Sequence, residues 1–229
     1  MGELRIVSHS EEPFVDREEA GRLLARELMD HAGRQTVVLG IPRGGVIVAR
    51  QLALVLDARM DVVLSRKIGA PGNPELAIGA ISEDGRLFIT DSVLERLGRY
   101  EDMAGFIERE RERQYAVILK RIEQYRSVRP KEPLEGKTAI VTDDGLATGA
   151  TMEASVWAIR RENPAKLIVA VPVASIDSAE RVAQHADQTV VLHAPPVFYA
   201  VGQFYEYFSQ VADEEVMAVL QESLQARTQ

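Results

Sequence analysis

The reading of this chain turns on one stretch, Ile140-Val141-Thr142-Asp143-Asp144-Gly145-Leu146-Ala147-Thr148-Gly149-Ala150-Thr151-Met152. An apolar strand over Thr138–Thr142 delivers two adjacent carboxylates to its C-terminal end; a loop of small residues follows, then a helix begins at Thr148–Gly149. In open α/β sheets, ligands bind beyond the carboxyl ends of the strands. The unpaired N–H groups of a helix start form an anion site, and small residues let a phosphate approach the backbone closely. Thr148 and Thr151 stand three apart, so both hydroxyls fall in the first turn and face one phosphate. Asp143 and Asp144 cannot bind that phosphate; they suit hydroxyl groups, or a metal-bound water, beside it. One phosphate with neighbouring hydroxyls describes a ribose 5-phosphate. Two other phosphate loops do not fit: no lysine follows Gly149 as a P-loop requires, and Gly145-x-x-x-Gly149 lacks the Gly-x-Gly-x-x-Gly spacing of a dinucleotide loop.

Outward from this segment the chain alternates strand and helix. Upstream, Thr36–Gly40 is a continuous apolar run, as in a strand covered on both faces, and it ends in Ile41-Pro42-Arg43-Gly44-Gly45. Val46–Asp57 has helical spacing, and Met60–Ser65 reads as a second strand. Downstream follow a helix over Gly149–Arg161, a strand over Leu167–Val173, a helix over Asp177–His185 and a strand over Thr189–Leu192. This alternation predicts βαβ units and an α/β, doubly wound parallel sheet. Ahead of it, Asp16-Arg17-Glu18-Glu19 has the spacing of a capping box, in which Asp16 caps and Glu19 reaches back.

Two segments break the alternation. Arg66–Pro74 reads as a turn-rich loop, and Asp-Gly between Leu76–Ile81 and Arg86–Ile89 signals a hairpin. Ser92–Arg126 is helix-like and strongly charged, with Met103, Phe106, Ile107, Val117, Ile118, Ile122 and Tyr125 on one apolar side. It is expected to pack on the domain or across a dimer. Residues 194–229 open with an aromatic cluster and close with a helix near Glu214–Leu224. The expected organisation is a single domain over 1–229, with an inserted helical arm at 92–128 and a small C-terminal hood at 194–229.

Composition narrows the function classes. A chain of 229 residues with 27 basic and 35 acidic side chains, net charge −8, argues against a general binder of nucleic acid polymers, whose affinity comes from neutralising phosphates. With no cysteine, there is no disulfide framework, no Cys-ligated zinc and no thiol nucleophile. No apolar run approaches the about 18 residues of a membrane span, and no apolar leader opens the chain, so a cytoplasmic protein that engages no membrane is expected.

Val141–Thr151 resembles the phosphoribosyl-diphosphate (PRPP) signature of the type I phosphoribosyltransferases: an apolar strand, two acidic residues, a short loop, then Thr-Gly-x-Thr. The loop is similar to the form seen in adenine members. The resemblance implies that Asp143 and Asp144 address the ribose hydroxyls, while Gly145, Leu146, Ala147, Thr148, Gly149, Ala150 and Thr151 hold the 5-phosphate. It extends to Gly40–Val46, where the family carries its diphosphate loop; Arg43 and Gly44 are the expected contacts, and Arg43 offers bidentate donors to phosphate oxygens. Arg66 and Lys67, read as the end of the next strand, would face the same diphosphate. The segment after Lys67 takes the place of the family's mobile catalytic loop, and Glu75, the only carboxylate within Ile68–Ile81, is the candidate general acid/base. Phe198, Tyr199 and Val201 resemble the hood over the nucleobase; their aromatic faces can stack on a base or pack the hood on the sheet, and both readings stand. Ala147 stands where hypoxanthine-guanine members carry an aspartate, which counts against a 6-oxopurine acceptor.

The resemblance implies transfer of a 5-phosphoribosyl group from PRPP to a nitrogenous, nucleobase-like acceptor, with release of diphosphate. Mg²⁺ is the expected cofactor; it needs no dedicated protein cluster, since it travels on PRPP and reaches Asp143 and Asp144 through water. A homodimer is the expected assembly. The rival reading is a regulatory module that senses PRPP or a nucleotide without turnover. A third, a receiver-like or phosphatase domain built on the acidic pair, leaves Thr148-Gly149-Ala150-Thr151 without a role.

Overall fold

The computed structural model describes residues 2–90 and 102–225. In chain order its elements are β1 (Glu3–Ser8), α1 (Arg17–Arg26), β2 (Thr36–Gly40), α2 (Gly44–Val55), β3 (Arg59–Val62), β4 (Arg66–Ala70), β5 (Asn73–Ile81), β6 (Leu87–Ile89), α3 (Met103–Val128), β7 (Thr138–Thr142), α4 (Ala150–Arg160), β8 (Lys166–Val173), α5 (Ile176–Ala183), β9 (Gln188–His193) and α6 (Asp213–Gln225). Short 3-10 turns lie at Met29–His31 and Val201–Phe204.

Six strands form a parallel sheet in the order β1-β9-β8-β7-β2-β3. Its strands read as unbroken apolar runs because both faces are covered. Val38, Met60, Ile140, Ile168 and Val190 point into one core, filled from α1, α2 and α6. Val37, Leu39, Val141, Val169 and Val191 point into the other, filled by Met152, Val156 and Ile159 of α4 and by Ala179 and Val182 of α5. The alternation along each strand is the pleat itself. Each fully buried aliphatic side chain stabilises by about 1.5–3 kcal/mol, so the two layers together hold the sheet between its helices. The chain is an α/β, doubly wound parallel sheet.

The start of α1 follows from its cap. Asp16 accepts from the Glu19 N–H at 2.8 Å, while the Glu19 carboxylate reaches back one residue further than a capping box requires, to the Val15 N–H at 2.6 Å. The 3-stranded antiparallel sheet β4-β5-β6 stands apart from the main one. Its hairpin turns at Glu83-Asp84-Gly85, with Gly85 at φ +76° where a side chain is disfavoured.

Three elements differ from the sequence reading. Strand β1 was not anticipated; it is an edge strand whose Glu3 and Val7 are exposed, so it lacks the apolar run of its neighbours. Arg66–Ala70 is a strand rather than part of a loop, and Arg66-Lys67 open β4 instead of closing β3. Of the arm over 92–128, residues 92–101 lie outside the described residues, and Met103–Val128 is one continuous helix. That helix lies on β4 and α6, burying Ile118 and Tyr125, whereas Val117 turns to solvent. Arg126 of α3 ties the hairpin to the main sheet: it donates to Asp61 of β3 at 2.7 Å and to Glu83 at 2.5 Å.

Candidate functional site

Strands β2 and β7 are neighbours in register, Gly40 opposite Thr142. From this pair the sheet continues in opposite directions, to β3 on one side and β8 on the other. Such a switch point opens a crevice at the carboxyl ends of the strands. The loops leaving it are the two singled out by sequence: Ile41–Gly45 from β2 and Asp143–Gly149 from β7. They leave side by side, with the Ile41 N–H donating to Thr142 O at 2.9 Å.

The glycines of the first loop make room for the acids of the second. A Cβ on Gly45 would lie 2.7 Å from Asp143 Cα, and one on Gly44 would run into Asp144 Oδ2. Asp143 Oδ1 accepts from the Asp144 N–H at 2.9 Å. Burial, and then the Asp144 carboxylate, push the Asp143 carboxyl well above its ordinary range, against the pull of Arg17 and of backbone donors from Asp144 and Gly45.

Asp144 is held by Arg17, whose Nε lies 2.8 Å from Asp144 Oδ2. Arg17 opens α1 and is only 8% exposed. Its Nη1 donates to Ser209 O at 2.8 Å and its guanidinium lies 4.0 Å from the Phe208 ring centroid. The hood thus closes on the acidic pair through one arginine, and Tyr205 adds a bond from its hydroxyl to Asp144 O at 2.6 Å. Burial and then the Asp144 charge raise the Tyr205 hydroxyl well above the usual phenol value, so it stays a donor. The hood is anchored at its other edge to the segment before α1: Phe14 donates to Phe204 O, and Glu206 donates to Phe14 O.

Two clefts flank the acids. One, of about 170 Å³, is lined by Asp143, Gly145, Leu146, Ala147, Thr148, Gly149, Thr151, Met152 and Val201. Its loop is pinned from behind by α5: Ala147 O accepts from the Ser178 hydroxyl at 2.6 Å and the Ser175 hydroxyl at 3.1 Å, and Thr148 O accepts from Arg181 at 2.8 Å. In a planar trans peptide the next N–H points opposite the carbonyl, so the N–H groups of Thr148 and Gly149 turn away from α5. Helix α4 then begins at Ala150 behind Gly149, at φ +71°, with no side chain capping it. Its first N–H groups are free for an anion. The second cleft, of about 360 Å³, is lined by Arg17, Arg43, Gly44, Asp144, Phe208, Ser209, Gln210 and Val211. It presents two guanidinium groups and one carboxylate.

The remaining sequence-derived residues divide. Arg43 and Gly44 line the second cleft. Arg66 does not join it: it donates to Gln114 on α3, and burial with Arg121 and Arg113 nearby depresses its pKa. Lys67 follows on β4, in register with Ala80 of β5. Glu75 belongs to β5 by its backbone, and its side chain lies outside the described residues. Phe198 packs on Phe204 with ring centroids 5.1 Å apart, and Tyr199 is 87% exposed. Val201 covers the first cleft by packing on Gly145, where a Cβ would lie 2.7 Å from Val201 Cγ1. Sequence reasoning gave no site role of its own to Arg17, Tyr205 or Arg181; Arg17 stood only inside the capping box, and Tyr205 only as the last residue of the aromatic hood segment that starts at Phe198.

Among the described residues, no group of three or more His, Cys, Asp or Glu is placed to hold a metal ion, and no helix is long and apolar enough to cross a membrane.

The phosphoribosyl transferase domain family matches residues 16–208, which takes in both loops, the whole lining of the first cleft, and Arg17, Arg43, Gly44, Asp144 and Phe208 of the second. Proteins from two strains of Mycobacterium tuberculosis, each named provisionally as a phosphoribosyl transferase, are 44% identical to this chain over 207 residues. Those residues are 90% of this chain and 46% of theirs, so the chain spans about half the length of the curated relatives it matches. The crystal structure of TT1426 from Thermus thermophilus aligns with a TM-score of 0.85 and 47% identity, over 92% of this chain and 98% of that one. With the acidic pair, its glycine-lined loop and the family match all falling on the same residues, the chain belongs to the phosphoribosyl transferase domain family.

Proposed function

We propose that the chain transfers a 5-phosphoribosyl group from PRPP to a nitrogenous, nucleobase-like acceptor and releases diphosphate. The observation that carries this reading is the position of Asp143 and Asp144 between two anion-seeking clefts of different character. One offers backbone N–H groups and threonine hydroxyls, which suits a terminal monophosphate. The other offers the Arg43 guanidinium, which suits a more highly charged group. PRPP has these three parts in this order: 5-phosphate, ribose hydroxyls, 1-diphosphate.

Breaking the anomeric C1–O bond puts positive charge on the ribose and negative charge on the departing diphosphate. Residues 145–151 hold the 5-phosphate, Asp143 and Asp144 accept from the ribose hydroxyls, and Arg43 faces the leaving group as its charge grows. The acid pair offers oxygen donors with no third carboxylate beside them among the described residues, which fits Mg²⁺ carried by the diphosphate and reached through water. That ion would neutralise leaving-group charge. Glu75 remains the proposed general acid/base as the only carboxylate within Ile68–Ile81.

The test is PRPP- and Mg²⁺-dependent release of diphosphate across a panel of purine and pyrimidine bases. Release with at least one base, abolished in Asp143→Asn and Asp144→Asn, is the expected result. PRPP binding without turnover for any acceptor would leave the chain a sensor of PRPP, and absence of PRPP binding would remove both readings.

A further inference from the structure

The proposed function uses Arg43 in the cleft of about 360 Å³ but gives no task to the other guanidinium there. Arg17 is the more buried of the two, with a side chain 9% exposed against 33% for Arg43. A buried arginine is retained where its donors are matched. Two of its nitrogens are: Nε to Asp144 and Nη1 to Ser209 O. Nothing among the described residues accepts from Nη2, although Arg17 lines the open cleft. Its plane is fixed by the Phe208 ring beneath it, so the unused donor has a set direction.

We propose that Arg17 is a further substrate-binding residue, whose unused Nη2 takes an oxygen of the diphosphate while Nε holds the Asp144 carboxylate for the ribose. This rests on the reading of the site given above and assigns to it a residue from outside the two loops. One guanidinium would then bridge the two halves of the substrate. It would also tie their occupancy to the hood, since Ser209 and Phe208 share the same side chain. Lysine cannot replace it, because a single ammonium has no planar fork with which to serve carboxylate, carbonyl and phosphate at once.

Three probes separate this role from a purely structural one: Mg²⁺–PRPP, inorganic diphosphate with Mg²⁺, and ribose 5-phosphate, each titrated calorimetrically into the wild-type chain, Arg17→Gln and Arg17→Lys. Loss of a charge-assisted bond predicts at least about tenfold weaker binding of PRPP and of diphosphate to R17Q, with R17K also weakened, and ribose 5-phosphate weakened less than either, because it loses only the support of Asp144. Thermal unfolding of both variants checks that they fold, and R17K retains the charge if R17Q does not. If ribose 5-phosphate and PRPP weaken together while diphosphate is unchanged, Arg17 serves Asp144 alone and the assignment fails. Unchanged binding of all three also overturns it. A wild-type chain that binds none of the three removes the underlying reading of the site, and the Arg17 assignment with it.

Discussion

The hydroxyl of Tyr205 donates to the main-chain carbonyl of Asp144 at 2.6 Å, so the hood is bonded to the backbone of the residue whose side chain is read as a ribose ligand. Tyr205 is 6% exposed and its ring stacks on Phe208, at 5.1 Å between centroids. Tyr205→Phe keeps the ring and leaves the half-buried Asp144 carbonyl without this partner, a loss of about 1 kcal/mol. Urea unfolding should show a lower midpoint at unchanged slope, the signature of lost stability without a change in the surface exposed. PRPP affinity should fall with it, because the Asp144 backbone is freed.

Gly44 and Gly45 separate stability from binding. A Cβ on Gly45 meets backbone, Asp143 Cα at 2.7 Å and Thr142 O at 2.8 Å, whereas on Gly44 it meets the end of a side chain, Asp144 Oδ2. Backbone at the end of a central strand cannot yield, so Gly45→Ala should destabilise the fold by about 1–3 kcal/mol. A carboxylate can rotate away, so Gly44→Ala should unfold near the wild-type temperature yet bind PRPP at least about tenfold more weakly, by the loss of one hydrogen bond to a charged group. Equal losses of stability in the two variants would show that Asp144 is as fixed as the backbone.

Asp143 sets a pH dependence of known sign. Burial and the neighbouring Asp144 raise its carboxyl in the folded chain above the unfolded value of about 3.9. The folded state therefore binds the proton more tightly, and stability falls as pH rises from that value through the folded pKa. Asp143→Asn removes the ionisation. Its melting temperature should exceed the wild-type value at about pH 7–8, with the gap closing as pH approaches about 4, while PRPP binding is lost. A variant less stable than wild type at neutral pH would contradict the assignment. That a site residue costs stability is expected where two carboxylates are kept together for a substrate.

How much of this was legible depended on where each residue's partners lie along the chain. Strands β2, β7, β8 and β9 were readable because burial on both faces writes a continuous apolar run, and the acidic pair stands out at the end of one. Edge strand β1 carries no such run. Arg66 and Lys67 were placed one element too early, since the break at Val63–Ser65 has no glycine or proline to mark it. The arginine at the centre of the site was hidden for a different reason. Arg17 meets Asp144 across 127 residues and Ser209 across 192, and no local pattern encodes a contact of that span. The hood aromatics showed the same limit: only the fold reveals that Phe198 packs inward while Tyr199 faces solvent.

The support of the 145–151 loop from α5 gives a prediction opposite in pattern to that for Arg17. Ser178, 1% exposed, donates from its hydroxyl to Ala147 O at 2.6 Å, and Arg181 donates to Thr148 O at 2.8 Å. These bonds fix which way the peptides face, and so hold the Thr148 and Gly149 N–H groups as donors before any ligand arrives. Preorganised donors bind an anion without further ordering cost, which is where their removal should be felt. Ser178→Ala leaves Ala147 O with Ser175 alone, a change of about 1 kcal/mol in stability. Ribose 5-phosphate and PRPP should bind about three- to tenfold more weakly, with inorganic diphosphate unaffected, since its cleft shares no residue with this loop. Arg181→Met should repeat the pattern, and calorimetric titration of the three ligands into both variants reads it directly. Diphosphate weakening in step with ribose 5-phosphate would mean that the two clefts do not divide the substrate between them.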